Sequence, residues 1–238
     1  MTDDSTGFLY PFIEADENDP QALLADLASS ARDKAAISRD LQRSSLARME
    51  PDIVAAGRAM GERFIAGGRL YTFGNGGSST DAATLAGLFC NPPAGRPVAA
   101  WSLTDDQAVV TALGNDVGFE LIFSRQIIAH STPGDVAIAL STSGNSDDLL
   151  RGLAEARKLG LLTIGFAGYD GGQMQASDEL DYCFTVDSQS IHRIQESHAM
   201  IGHRLWSVAQ ETMREWRAVR RSAPAAAAEP PTREEVSR

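Results

Sequence analysis

The sequence predicts an α/β protein in which helices flank a mostly parallel, doubly wound sheet. Five short apolar segments of strand length alternate with helical stretches along the chain. They are RLYTF (69–73), PVAAWSL (97–103), DVAIAL (135–140), LTIGFA (162–167) and DYCFTV (181–186). Strands that alternate with helices form βαβ units, and loops rich in glycine or serine follow two of these strands.

Helical patterns precede and follow the strands. Pro20 and Pro51 each begin such a pattern, and because proline suits the first helical turn, they predict the starts of two N-terminal helices. A long helical pattern then runs from about residue 191 to residue 217. These boundaries predict a flexible acidic arm over residues 1–18, a single domain over 19–217, and a disordered Ala-, Pro- and Glu-rich tail over 218–238.

Composition narrows the classes of function. The chain has 238 residues, 43% of them hydrophobic, and a formal net charge of −11, which disfavours direct binding of nucleic acid. Its two cysteines, Cys90 and Cys183, show neither metal-binding spacing nor a disulfide framework, which indicates a reducing compartment. With no signal-peptide pattern and no apolar run long enough to span a bilayer, we expect a cytoplasmic protein without membrane contact.

Two loops occupy the positions where doubly wound sheets bind ligands. GNGGSST (74–80) follows the first strand segment, and STSGNSDD (141–148) follows the third. Glycines allow close backbone approach, hydroxyls donate hydrogen bonds, and the N-terminus of the next helix favours an anion, so the pair predicts a phosphate site. The alternative is that both loops are ordinary caps and turns. Neither loop has the Gly-Lys-Ser/Thr of a nucleotide P-loop or the spacing of a dinucleotide fingerprint.

Longer motifs resemble a known family. GNGGSSTDA, LGNDVGFELIFSRQI, GDVAIALSTSGNSDDLL, GFAGYDGGQM and HRIQESH are similar to the sugar isomerase (SIS) domain, specifically its sedoheptulose 7-phosphate isomerase subfamily. The resemblance extends from about residue 25 to residue 215. It implies a flavodoxin-like sheet of five parallel strands, an N-terminal helical pair used in oligomer contacts, and a homotetramer with active sites between subunits.

The resemblance also implies a sugar-phosphate site. Its phosphate-binding residues would be Ser141, Thr142, Ser143, Ser146, Asn75 and Ser78. The subfamily interconverts ketose and aldose phosphates with an acid and a base, and it binds zinc through a His, a Glu, a Gln and a second His. Gln195 and His203 match the last two, as catalytic or metal-binding residues, but Thr84 and Leu88 stand at the first His and the Glu.

Three functions therefore remain open at the level of the sequence. The chain is a phosphoheptose isomerase with displaced catalytic groups, a non-catalytic phosphosugar-binding protein, or a scaffold similar to the SIS-family protein that binds the bacterial replication initiator. Asp106, which matches a polar family position near the substrate, is the first candidate for a substitute catalytic group. Other candidates are Asp81, Glu196 and His198, with zinc binding and a protein partner left open.

Overall fold

Five parallel strands form one sheet, as the sequence predicts. The computed structural model describes residues 20–222, with side chains described over 21–220. The strands are β1 (Leu70–Gly74), β2 (Ala100–Ser102), β3 (Val136–Leu140), β4 (Leu162–Gly168) and β5 (Tyr182–Val186), in the spatial order β2-β1-β3-β4-β5. This is the flavodoxin-like order.

Helices cover both faces of the sheet. They are α1 (Pro20–Ile65), α2 (Gly77–Cys90), α3 (Gln107–Asp116), α4 (Ile122–His130), α5 (Asp147–Lys158), α6 (Gly172–Gln175) and α7 (Ile191–Ser222), with a 3-10 turn over Phe119–Leu121. Alternate strand residues face opposite sides, so Ile138 packs with α1, α2 and α7, whereas Ala137 and Ala139 pack with α4 and α5. Both faces are therefore buried, as a parallel sheet requires.

The chain divides into two compact units after Asp40. The first is Met1–Asp40, which is helical over its described residues 20–40, and the second is Leu41–Arg238, which contains the whole sheet. The SIS-like motifs quoted above that surround the two loops all fall in the second unit.

The predicted N-terminal helical pair is wrong, because the structure has one helix where the sequence indicates two. Helix α1 continues through Pro51 to Ile65. Pro51 is exposed, and the buried side chains of Met49 and Ile53 anchor the helix to the core on both sides of it. Proline removes one backbone hydrogen bond, and this burial offsets that loss.

The C-terminal prediction needs a smaller correction. Helix α7 extends to Ser222, so residues 218–222 are helical and do not belong to a disordered tail. The helix continues because these five residues keep the i→i−4 hydrogen-bond pattern. The Arg220 side chain also lies over the ring of Trp216 one turn earlier. The rest of the predicted tail, 223–238, and the predicted arm over 1–18 lie outside the described residues. Within residues 20–222, no helix combines the length and apolar content needed to cross a membrane.

The strand order places the two predicted loops next to each other. β1 and β3 are hydrogen-bonded neighbours, yet their crossover connections run in opposite directions, one toward β2 and one toward β4. In open parallel sheets, the loops that leave two such strands diverge and form a crevice outside their carboxyl ends. The GNGGSST and STSGNSDD loops leave the sheet at this point.

Candidate functional site

The serine-rich loop between β3 and α5 is a tight turn held by its own side chains. Ser141 is buried, and its Oγ accepts a hydrogen bond from the Gly144 backbone N–H at 3.0 Å. The Oγ of Ser143 accepts a bond from the Asn145 N–H at 3.3 Å. Two of the four hydroxyls therefore hold the turn itself.

The other two hydroxyls have no such role. Ser146 is the N-cap residue of α5, but its side chain caps no backbone N–H of the helix. Among the residues that the structure describes, neither Ser146 Oγ nor Thr142 Oγ1 has a side-chain hydrogen-bond partner. An N-cap serine normally bonds a free N–H of the first turn, so the capping alternative does not account for Ser146.

The serine loop is fixed against α6 and the residue that precedes it. Gly144 has φ of 67°, and a Cβ on it would collide with the Gly171 carbonyl, so the position requires glycine. The Gly144 carbonyl accepts a bond from Met174 N at 2.9 Å, and Asn145 Oδ1 accepts one from Gln173 N at 2.9 Å. The turn is therefore preorganised.

Asn75 joins the glycine loop to the start of α5. Its Nδ2 donates to both carboxylate oxygens of Asp148, at 3.0 and 2.9 Å. Asp148 is almost fully buried, and burial raises the pKa of its carboxyl, while the bonds from Asn75 and from the Leu149 backbone favour the charged form. Ser78 is also buried, and its N–H donates to the Asn75 carbonyl at 3.0 Å.

Helix α7 brings Gln195 to the glycine loop. A Cβ on Gly77 would overlap the Gln195 amide nitrogen, so this amide lies directly over the first residue of α2. The contact depends on glycine at position 77, because any larger residue would displace the Gln195 side chain.

The remaining family positions do not form a zinc site. Thr84 is exposed, and its Oγ1 donates to the Thr80 carbonyl at 2.9 Å within α2. Leu88 packs against the hydrophobic core and offers no ligand atom. Over residues 20–222, no group of three or more His, Cys, Asp and Glu side chains lies close enough to hold a metal ion. These residues do not fit zinc, which takes at least three protein ligands in catalytic sites.

His203 and Asp106 are both exposed side chains. His203 is exposed, with its ring centroid 5.1 Å from that of Trp206, and eight residues of helix separate its Cα from that of Gln195 by about 12 Å. Asp106 caps α3 by accepting bonds from Ala108 N at 3.0 Å and Val109 N at 3.1 Å. The structure gives Asp106 a capping role and leaves His203 on the surface of this chain.

Among the substitute candidates, His198 is fully buried and Asp81 is partly buried. His198 is fully buried, donates from Nε2 to the Ala167 carbonyl at 2.9 Å, and leaves Nδ1 without a partner among the described residues. Burial lowers the pKa of His198 to about 4, so its imidazole is neutral at pH 7. Asp81 Oδ2 is buried and has no hydrogen-bond partner in the described part, and burial raises the pKa of this carboxyl. Glu196 is exposed on α7.

Two site residues were not predicted from the sequence. Asn145 fixes the serine loop to α6, and Asp148 binds the Asn75 amide. In the sequence, the position of Asn145 beside Gly144 in a predicted turn could have identified it as a site residue. Asp148 had no signal, because an acidic residue in the first turn of a helix is expected for the helix dipole alone.

Comparisons with known proteins show which family this chain resembles. A sequence profile described as "SIS domain" matches residues 35–168. The chain is 46% identical over 149 residues to the phosphoheptose isomerase of Aquifex aeolicus, covering 61% of this chain and 76% of that protein. It is 40% identical over 167 residues to that of Rhodospirillum rubrum, covering 68% and 87%. The solved phosphoheptose isomerase of Neisseria gonorrhoeae superposes with a TM-score of 0.72 at 30% identity, covering 78% of this chain and 99% of that one.

Proposed function

Because the chain belongs to the SIS-domain family, among the phosphoheptose isomerases, we propose that it binds a sugar phosphate at the carboxyl ends of β1 and β3. One observation carries this proposal: the Ser146 hydroxyl stands at the start of α5 without capping it. The phosphate would accept hydrogen bonds from Thr142 and Ser146, with the preformed turn of Ser141 and Ser143 behind them. The glycine loop, with Asn75 and Ser78, would contact the sugar.

The balance of charge supports a phosphate at this place. Hydrogen bonds to a charged group contribute about 1.5–3 kcal/mol each, and the helix terminus adds about 0.3–1 kcal/mol. Asp147 and Asp148 lie in the same first turn, where free carboxylates would repel an anion. Asp147 instead pairs with Arg151 at 2.8 Å, and Asp148 is bonded by Asn75. Both acids therefore have partners other than the ligand.

We propose further that this chain does not perform zinc-dependent isomerisation. Ketose–aldose interconversion needs a base to remove a proton beside the carbonyl and an acid to polarise its oxygen. Thr84 is bonded within its own helix and Leu88 is aliphatic, so neither supplies a ligand or a base. Loss of one acid or base costs about 10²–10⁴ in rate. The protein would then act by holding its phosphosugar.

The test uses sedoheptulose 7-phosphate and the purified full chain in deuterated buffer with added zinc. Calorimetry should show binding that is about 10- to 100-fold weaker in Ser146→Ala, since one hydrogen bond to the phosphate is removed. Ser44→Ala, an exposed serine of α1, is the control and should bind like the wild type. Absence of binding by the wild type would refute the proposal.

The same samples test catalysis by NMR. We expect no deuterium at the carbons next to the carbonyl and no aldose product. Deuterium uptake that disappears in His203→Ala would mean that a zinc-type site exists after all. Uptake that disappears in Asp81→Asn would instead identify the partly buried Asp81 carboxyl as a displaced base. Either result would contradict the non-catalytic proposal.

We also propose that the protein is a cytoplasmic homotetramer. The family resemblance supports this state, and α1 exposes an apolar row over its N-terminal half, at Leu23, Leu24 and Leu27. Both cysteine thiols are free, in keeping with a reducing compartment. Sedimentation velocity should give a particle of four chains of 25.4 kDa each. A monomer or dimer at micromolar concentration would contradict this state.

A further inference from the structure

A concave site lies along α7 from Trp206 onward, whereas Gln195, which contacts the glycine loop, lies near the start of this helix. The concave site is a groove of about 1110 Å³ between the C-terminal half of α7, the end of α1 at Ile65 and the loop over residues 94–96. Its volume slightly exceeds the usual range of small-molecule sites, roughly 300–1,000 Å³. None of the residues assigned above to the sugar-phosphate site lines this groove.

The wall of the groove is preformed. The side-chain amide of Gln210 binds the backbone of Arg96 twice: its Oε1 accepts from Arg96 N at 2.7 Å, and its Nε2 donates to Arg96 O at 2.8 Å. Gly95, with φ of 97°, allows this approach, because a Cβ there would overlap the Gln210 amide. The loop is therefore fastened to α7, and the groove does not depend on a ligand to form.

The groove is positively charged on a strongly acidic chain. Four arginines and one glutamate line it, whereas the whole chain has a formal net charge of −11. Arg214 pairs with that glutamate, Glu211, at 3.2 Å, and both side chains are exposed. Over the described residues, Arg96, Arg217 and Arg220 have no ion-pair partner. Guanidinium groups bind phosphate with two parallel hydrogen bonds, so this cluster favours a phosphorylated ligand.

Two indole rings share the groove with these arginines. Trp216 is half-buried, and the Arg220 guanidinium lies 5.1 Å from its ring centroid. Trp206 is 8% exposed, and its buried Nε1–H has no acceptor among the described residues. Because this nitrogen is buried, Trp206 contributes to the groove through its exposed ring edge, and Trp216 offers the more accessible ring. Indole faces also favour flat aromatic rings.

From these features we infer that the groove binds a nucleoside diphosphate. The arginines hold the diphosphate, and the indoles contact the base and ribose. An acidic peptide would satisfy the same charge, but the preformed wall and the indole rings beside the arginines favour a nucleotide. This inference goes beyond the proposed function, because it concerns a separate site on unit Leu41–Arg238 and a different ligand.

The experiment is calorimetry on the full chain with ADP, GDP and UDP at low ionic strength, beside adenosine and pyrophosphate as fragments. We expect at least one nucleotide to bind more than tenfold tighter than either fragment. Arg217→Glu should weaken that binding at least tenfold, whereas Arg125→Glu should not change it. Arg125 is also an exposed arginine on a helix, but it lies on α4, outside the groove.

Several outcomes would overturn the inference. One is that none of the three nucleotides binds at up to millimolar concentration. Another is that pyrophosphate binds as tightly as the nucleotide. A third is that Arg217→Glu and Arg125→Glu weaken nucleotide binding equally. A change of sedimentation coefficient in Arg217→Glu without nucleotide binding by the wild type would show that a second copy covers the groove. Arg217→Glu should bind sugar phosphate like the wild type, because Ser146→Ala alone tests that site. A failure of the nucleotide proposal would therefore leave the sugar-phosphate proposal standing, and the reverse also holds.

Discussion

At the scale of single residues, His198 shows how burial changes the chemistry of a side chain. In sequence it belongs to a motif of polar residues and is a candidate for catalysis. In the structure it is enclosed between α7 and β4, beside the ring of Phe166 at 5.5 Å, and donates to a backbone carbonyl. The imidazole of His198 is therefore neutral in the folded protein, and its role is structural. Its protonation should produce a measurable signature, a dependence of protein stability on pH.

This signature is a loss of stability at acid pH. The folded pKa of His198, about 4, is below the ordinary value of 6.5, so the unfolded chain binds the proton more readily. The free energy of unfolding should therefore fall as the pH drops from about 6.5 to about 4. The contribution of this residue to that fall is about 3 kcal/mol. Urea unfolding at several pH values measures it.

The variant His198→Gln isolates this contribution. Asp81 and Asp148, whose carboxyl pKa values burial raises, change stability with pH in the opposite direction, but they do so in both proteins. The difference between wild type and variant should therefore shrink toward acid pH. His130→Gln, at an exposed position, is the control. If the difference in free energy of unfolding stayed constant between pH 7 and pH 4, the prediction would be wrong. If His198→Gln does not fold, an NMR titration of the His198 ring in the wild type replaces this measurement.

At the scale of elements, the close packing of α1 on α7 depends on two glycines. A Cβ on Gly57 would lie 2.7 Å from Val208 Cβ, and one on Gly61 would lie 2.7 Å from Thr212 Cβ. The Arg204 guanidinium adds a bidentate bond to Glu50 across the same pair of helices. Larger side chains at the two glycines would separate the helices.

Gly57→Ala should therefore destabilise the fold although alanine is the better helix former. Overpacking costs about 1–3 kcal/mol, which exceeds the gain in helix propensity. Gly87→Ala is the matched control, because a Cβ there meets nothing within 4 Å and should add about 0.4–1 kcal/mol. Denaturant unfolding of both variants checks this. If the two variants changed stability in the same direction, tight packing at Gly57 would not be the reason for glycine there.

The boundaries of strands could be predicted from the sequence more accurately than those of the N-terminal helix. All five strands were predicted within about three residues of their ends, because a strand buried on both faces is a short apolar run that few other elements resemble. The break at Pro51 was wrong, since proline inside a helix and proline at its start leave the same local pattern. Burial of Met49 and Ile53 decides between them, and that is a tertiary property.

At the scale of the whole molecule, the candidate site was predictable in part. The serine loop and the glycine loop could be found because their composition and their places after β1 and β3 are visible in sequence. The contact of Gln195 with Gly77 could not be found, because it depends on how α7 docks. The groove along α7 was missed for the same reason: Arg96 and Arg217 are distant in sequence.

The packing of α1 on α7 has a further consequence for synthesis of the chain. Glu50 and Arg204, which bind each other, are 154 residues apart in sequence. At roughly 5–20 residues per second, the ribosome needs about 8–30 s to travel that distance. During this interval the apolar side of α1 near Ile53, Met60 and Phe64 has no α7 to cover it. Nascent chains of this protein should therefore be a target for chaperones that recognise exposed apolar helices, until α7 leaves the ribosome and closes the core.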